Sequence, residues 1–209
     1  MCRLLNALRS CSSRPKHDVF LPITDEHRSD IEWWLVFLTH YNGISVIPSD
    51  VVVSSPELFS TDACLTGCGA VCFGEYFHRE FPASILDQGL HINDLELLTV
   101  VIAVKLWSRK LEGLRVELFS DNATCVAVIN SQYSTYLFMQ RYLRELWLFL
   151  ALSNIQLVVR SVRGCDNWLA DALSRFHTGD FGAKFQSLAT NLQLTGCAAA
   201  DSLFVFARN

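Results

Sequence analysis

No long apolar run occurs in the sequence. The most extended stretches, Leu146–Leu152 and Val100–Val104, fall far short of the ~18–20 residues that span a bilayer, which argues against a transmembrane helix. Met1–Ser13 also lacks the apolar stretch of ~7–15 residues that a signal peptide requires, so an intracellular location, cytoplasmic or nuclear, is expected. Neither G-x-G-x-x-G nor G-x-x-x-x-G-K-[ST] is present, which disfavours an ordinary nucleotide-binding enzyme. The eight cysteines form no C-x2-C pair. They read as reduced core thiols, with Cys64, Cys68 and Cys72 on one side of a strand or hairpin. Charge is scarce at 18%, against about 25% in ordinary soluble domains. The net charge of −4 and pI near 5.8 leave little bulk attraction for a polyanion, so any such contact must be local or assisted by a partner.

Apolar residues, by contrast, make up 51% of the 209, enough for a real core and too many for disorder. The length suits one domain with appendages. Residues 1–55 read as an N-terminal leader and a joining helix, 56–176 as the main domain, and 177–209 as a weakly patterned tail. Within the first segment, Thr24–His40 has helical spacing with Ile31, Trp34, Leu35 and Leu38 on one stripe, and Asn42-Gly43 ends it. Three β-type runs follow, Leu58–Asp62, Gly67–Phe73 and Glu75–Phe81, as an antiparallel meander. Ile92–Leu111 reads as a helix with Asn93 at its cap and Glu96 as capping-box partner, stopped by Gly113. Then come a strand (Leu114–Phe119), two helices (Asp121–Asn130 and Thr135–Leu152), a strand (Ile155–Arg160) and a short helix (Asp166–Arg175). The order βββαβααβα predicts an α/β fold with a mixed five-stranded sheet, three antiparallel strands followed by parallel additions, flanked by helices.

Four carboxylates stand out against this pattern. Asp62 ends the first strand, Glu96 lies near the start of a helix, Asp121 ends the fourth strand, and Asp171 sits on the last helix. Each lies in apolar sequence, where a carboxylate is costly unless it is paired, hydrogen-bonded or bound to a cation. Taken singly, Asp62 can start a turn, Glu96 can serve only as a cap partner, Asp121 can cap its own helix, and Asp171 can face solvent. Together they suggest a site, because ligands gather at strand ends in an α/β sheet. If the first and fourth strands are neighbours, Asp62 and Asp121 meet. Oxygen donors without histidine or thiolate select magnesium or manganese. Asp94, Glu112, Glu117 and Glu145 fall on faces that read as exposed.

The motifs Thr61-Asp62-Ala63 with Gly67 and Gly69-Ala70, Ile92-Asn93-Asp94-Leu95-Glu96-Leu97-Leu98, Ser120-Asp121-Asn122 and Asn167-Trp168-Leu169-Ala170-Asp171-Ala172-Leu173-Ser174-Arg175 follow one another in order. This succession resembles the ribonuclease H domain of retrotransposon reverse transcriptases, nearest to the tyrosine-recombinase (DIRS-like) retroelements. The resemblance covers roughly residues 30–175, with Trp33-Trp34 and Tyr41-Asn42-Gly43 similar to the segment that joins polymerase to nuclease. It implies a ribonuclease H-like fold and two-metal hydrolysis of the RNA strand of an RNA/DNA hybrid. Asp62, Glu96, Asp121 and Asp171 would hold two magnesium ions, with manganese as a substitute. The implied partners are the hybrid and the polymerase portion of the same polyprotein. Thr66, Asn122, Arg141 and Arg144 are candidate substrate contacts.

Two departures accompany the resemblance. Relatives carry His-x-x-Gly-x-x-Asn before the last carboxylate, and here the first position is Ser161, followed by Gly164 and Asn167. Loss of that histidine implies slow turnover. No Asp-Asp pair of the polymerase type occurs, so the polymerase itself is missing and Met1 reads as a truncated start. An active nuclease and an inactive remnant that keeps the fold for packing or nucleic-acid binding therefore both remain open.

Overall fold

A computed structural model describes residues 22–40 and 55–206. They fall into two units, and helix α1 (Asp25–His40) belongs to the first. Its helical spacing brings Trp33 over Phe37 at a ring separation of 5.3 Å and sets Trp34 edge-on to Trp33 at 5.0 Å. Residues 1–21 of the expected leader and the stop at Asn42-Gly43 lie outside the described residues.

The second unit is built on a mixed sheet. Its strands are β1 (Phe59–Ala63), β2 (Gly67–Cys72), β3 (Glu75–Glu80), β4 (Arg115–Ser120), β5 (Gln156–Ser161) and β6 (Thr195–Gly196). Their spatial order is β5-β4-β1-β2-β3-β6. β1, β2 and β3 pair antiparallel as a meander, while β4 joins β1, β5 joins β4 and β6 joins β3 in parallel. The sheet thus has six strands rather than five. β6 is only two residues long, too short to show a period-two pattern in sequence. It exists because the Thr195 N–H donates to the Gly74 carbonyl and the Cys197 N–H to that of Tyr76.

Helices cover both faces: α2 (Ala83–Leu86), α3 (Ile92–Leu106), α4 (Ser108–Leu111), α5 (Ala123–Ser131), α6 (Leu137–Leu152), α7 (Trp168–Ser174) and α8 (Phe181–Asn191). Alternation along β2 shows which helix takes which face. Cys68, Ala70 and Cys72 join the larger apolar cluster with residues of α3, α5 and α6. Val71, between them, joins a smaller one with Leu169 and Leu173 of α7 and Phe185 of α8. Burial on both sides leaves every residue of β1 and β2 buried, the polar Ser60, Thr61 and Asp62 of β1 included. Residues 177–206, weakly patterned in sequence, contribute α8, β6 and the turn Asp201–Phe204; Phe185 and Phe204 are both buried.

The start of α3 differs from the expected one. His91, not Asn93, is its N-cap, and Asp94 rather than Glu96 completes the capping box by accepting from the His91 N–H at 3.2 Å. Asp94 is consequently buried, not exposed as its position in sequence suggested. The shift moves Glu96 out of the cap and into the second turn of the helix. α3 also stops at Leu106, before the short α4, and does not run through to Leu111. No helix among the described residues is long and apolar enough to cross a membrane.

Candidate metal centre

β1 and β4 lie side by side with Ser60 opposite Phe119. Two residues further on stand Asp62 in β1 and Asp121 just past the end of β4, so the register itself delivers both carboxylates to one edge of the sheet. Asp121 does not cap α5; that role belongs to Asn122, whose Oδ1 accepts from the Cys125 N–H at 2.9 Å. From α3, Glu96 reaches the same edge. Oxygens of Asp62, Glu96 and Asp121 all lie within 4.8 Å of one another.

Burial is graded across the three. Asp62 and Glu96 are 5% and 4% exposed, whereas Asp121 opens to solvent. Desolvation raises the pKa of Asp62, and the nearby charges of Asp121 and Asp171 add to the rise; a Ser174 hydroxyl bonded to the carboxylate opposes it. Desolvation likewise raises Glu96, reinforced by Asp62 and Asp121 and opposed by the Ala63 N–H. Glu96 Oε2 is buried with no hydrogen-bond partner. A buried acceptor without a donor is costly, and a cation is the natural means of satisfying it among like charges. The donor set is all oxygen and two of its members are dry, so these three residues can hold a metal ion.

Asp171 occupies the same cleft on different terms. The cleft, about 520 Å³, is lined by Asp62, Glu96, Asp121, Asp171, Thr66, Arg175 and Thr178, together with Ala63, Cys64, Leu65 and Ile92. Arg175 Nε donates to Asp171 Oδ1 at 2.7 Å across one helical turn. The Asp171 carboxylate is therefore paired with a cation already present and is not among the three that converge.

The other expected contacts separate. Thr66 lines the cleft. Asn122 is occupied as a helix cap, and its Nδ2 donates to Asn93 Oδ1 at 2.9 Å. Arg141 reaches the Phe206 carbonyl at 3.4 Å, and neither Arg141 nor Arg144 lines the cleft. Ser161, in the place of the loop histidine, is exposed at the end of β5. Among the described cysteines all six are free; Cys68, Cys72 and Cys125 are buried and Cys165 is exposed.

Sequence reasoning did not single out Asn167, Ser174, Arg175 or Thr178 as site residues. Asn167 is 1% exposed and its Nδ2 donates to the Thr61 carbonyl at 3.1 Å, with Asp121 Oδ1 at 3.4 Å. The Ser174 hydroxyl donates to Asp62 Oδ2 and lies 3.0 Å from the Asp171 carbonyl. The i, i+3 and i, i+4 spacing of Ser174 and Arg175 from Asp171 was the available signal, since it puts all three on one helix face. No family model matches the chain, and no curated protein sequence matches it.

Proposed function

We propose that this chain is a metal-dependent phosphodiester hydrolase with a ribonuclease H-like fold, cutting the RNA strand of RNA/DNA hybrids. The observation that carries the reading is the meeting of Asp62, Glu96 and Asp121 within 4.8 Å at one sheet edge, with a buried Glu96 oxygen left unpartnered. Support comes also from the ordered succession of motifs around these residues and from Asp171 in the same cleft. The expected ions are magnesium or manganese, because hard oxygen donors without nitrogen or sulfur favour them. Bound there, such ions supply Lewis-acid charge to the phosphoryl oxygens and make water a better nucleophile at neutral pH.

The protein's own groups have distinct tasks in this reading. Asp62, Glu96 and Asp121 provide the anionic cage. Arg175, the one cationic side chain lining the cleft among the described residues, offsets the charge of Asp171 and faces an incoming phosphate. Thr66 and Thr178 bring hydroxyls to the rim, suited to sugar and phosphate oxygens rather than to base edges. The polymerase portion of a retroelement polyprotein is the partner this reading implies, and it would compensate for the weak electrostatic grip of a chain with net charge −4.

The test is cleavage of an end-labelled RNA/DNA hybrid with magnesium or manganese, beside Asp121→Asn. Cleavage that disappears in the variant supports the reading. The second reading, an inactive remnant of the same fold, is favoured by the exposed Ser161 in place of a histidine and by the pairing of Asp171 with Arg175. A folded, metal-binding chain that leaves the hybrid intact would decide for it.

A further inference from the structure

Helix α7 touches the sheet more closely than an ordinary helix can. A Cβ on Gly69 would lie 2.3 Å from Leu173 Cβ and 2.6 Å from the Leu173 carbonyl carbon, and one on Gly67 would lie 2.7 Å from the Ser174 carbonyl oxygen. Only glycine at both positions admits this approach. Its effect is to bring both ends of α7 against β1, with the N-terminal end also reaching the residue just beyond β4. At the C-terminal end, the Ser174 hydroxyl donates to Asp62 Oδ2 at the end of β1. At the N-terminal end, Asn167 Nδ2 donates to the Thr61 carbonyl of β1 and reaches Asp121 Oδ1 beyond β4. Ser174 and Asn167 are 4% and 1% exposed.

We infer that Ser174 and Asn167 are positioning residues, and that α7 serves the metal centre chiefly as a brace fixing the separation of Asp62 from Asp121. The inference rests on the metal-binding reading above. Two repelling carboxylates on adjacent strand ends have reason to splay when no cation is present. A donor on each, held by one short helix, keeps them placed for an ion. Outer hydrogen-bond partners of this kind are commonly worth about 10–100-fold in metal affinity. The Asp171 carboxylate, on the same helix, is taken up by Arg175 and leaves this task to its neighbours.

The test is titration of the metal-free full chain with Mn²⁺, read by calorimetry and by the paramagnetic signal of the free ion, with a melting curve for each variant. Ser174→Ala and Asn167→Ala should each weaken binding about tenfold or more. Ser174→Thr, which keeps the hydroxyl, should bind as the parent does. Leu169→Val, a packing change on the same helix, should lower the melting temperature and leave the affinity unchanged. A folded Ser174→Ala with unaltered affinity overturns the inference. So does a Leu169→Val loss equal to that of Ser174→Ala, or a parent chain that binds no Mn²⁺. A parent that binds Mn²⁺ with the expected variant pattern and yet spares the RNA/DNA hybrid defeats the nuclease reading alone.

Discussion

Asp62 and Glu96 carry opposite consequences for stability and for function. Burial first, and neighbouring carboxylates second, push Asp62 up to about 7 and Glu96 to about 9. Between the ordinary carboxylate range near pH 4 and those values, the folded chain retains protons that the unfolded chain has released. Stability of the metal-free protein therefore falls as pH rises through that window. Its melting temperature should drop between about pH 5 and pH 8, and a divalent ion added at the upper end should raise it again by binding only the folded state. A melting temperature that climbs over the same interval would contradict the burial of these groups. Glu96→Gln removes the cost of taking up a proton on folding, so at about pH 8 the metal-free variant should melt higher than the parent while losing Mn²⁺ affinity in calorimetric titration.

Close packing governs the elements in the same way. Gly69→Ala forces a methyl into Leu173 at 2.3 Å, with a cost of about 1–3 kcal/mol or more, measurable as a lower urea midpoint at unchanged slope. The same variant should weaken metal binding, since the brace of α7 moves with it. At the other end of the site, Asp94→Ala removes half of the capping box of α3 and should cost about 1 kcal/mol in the same measurement. Every strand and helix from β1 to α7 was legible in sequence to within a few residues, apart from the four-residue helices α2 and α4, because period-two and helical spacing are local properties. The cap of α3 was not. Asn93 is the favoured capping type, yet His91 takes the role, its Nδ1 accepting from the Asn93 N–H at 3.2 Å while its own N–H goes to Asp94. That choice removed the cap role from Glu96, which the sequence had also offered as a metal ligand.

Across the whole second unit, residues 177–206 belong to the packed structure. Phe185 is fully buried against Tyr76 and Phe176, Phe204 lies against Phe81, and β6 covers the edge of β3. A chain ending at residue 176 would expose these surfaces together with an unpaired strand edge. Truncation there should abolish a cooperative melting transition, and a sharp transition in the shortened chain would show that the tail is dispensable. The amino-acid order alone determined the α/β class, the meander, and the four acidic positions, since all of these follow from short-range periodicity and from carboxylates set in apolar surroundings. Tertiary structure alone decided that Asp62, Glu96 and Asp121 converge while Asp171 pairs with Arg175. It also decided that Ser174 and Asn167 hold the two strand ends, and that a sixth strand closes the sheet. Those outcomes turn on strand register, on the approach of α7 over two glycines, and on hydrogen bonds between residues more than a hundred positions apart, none of which leaves a local trace in sequence.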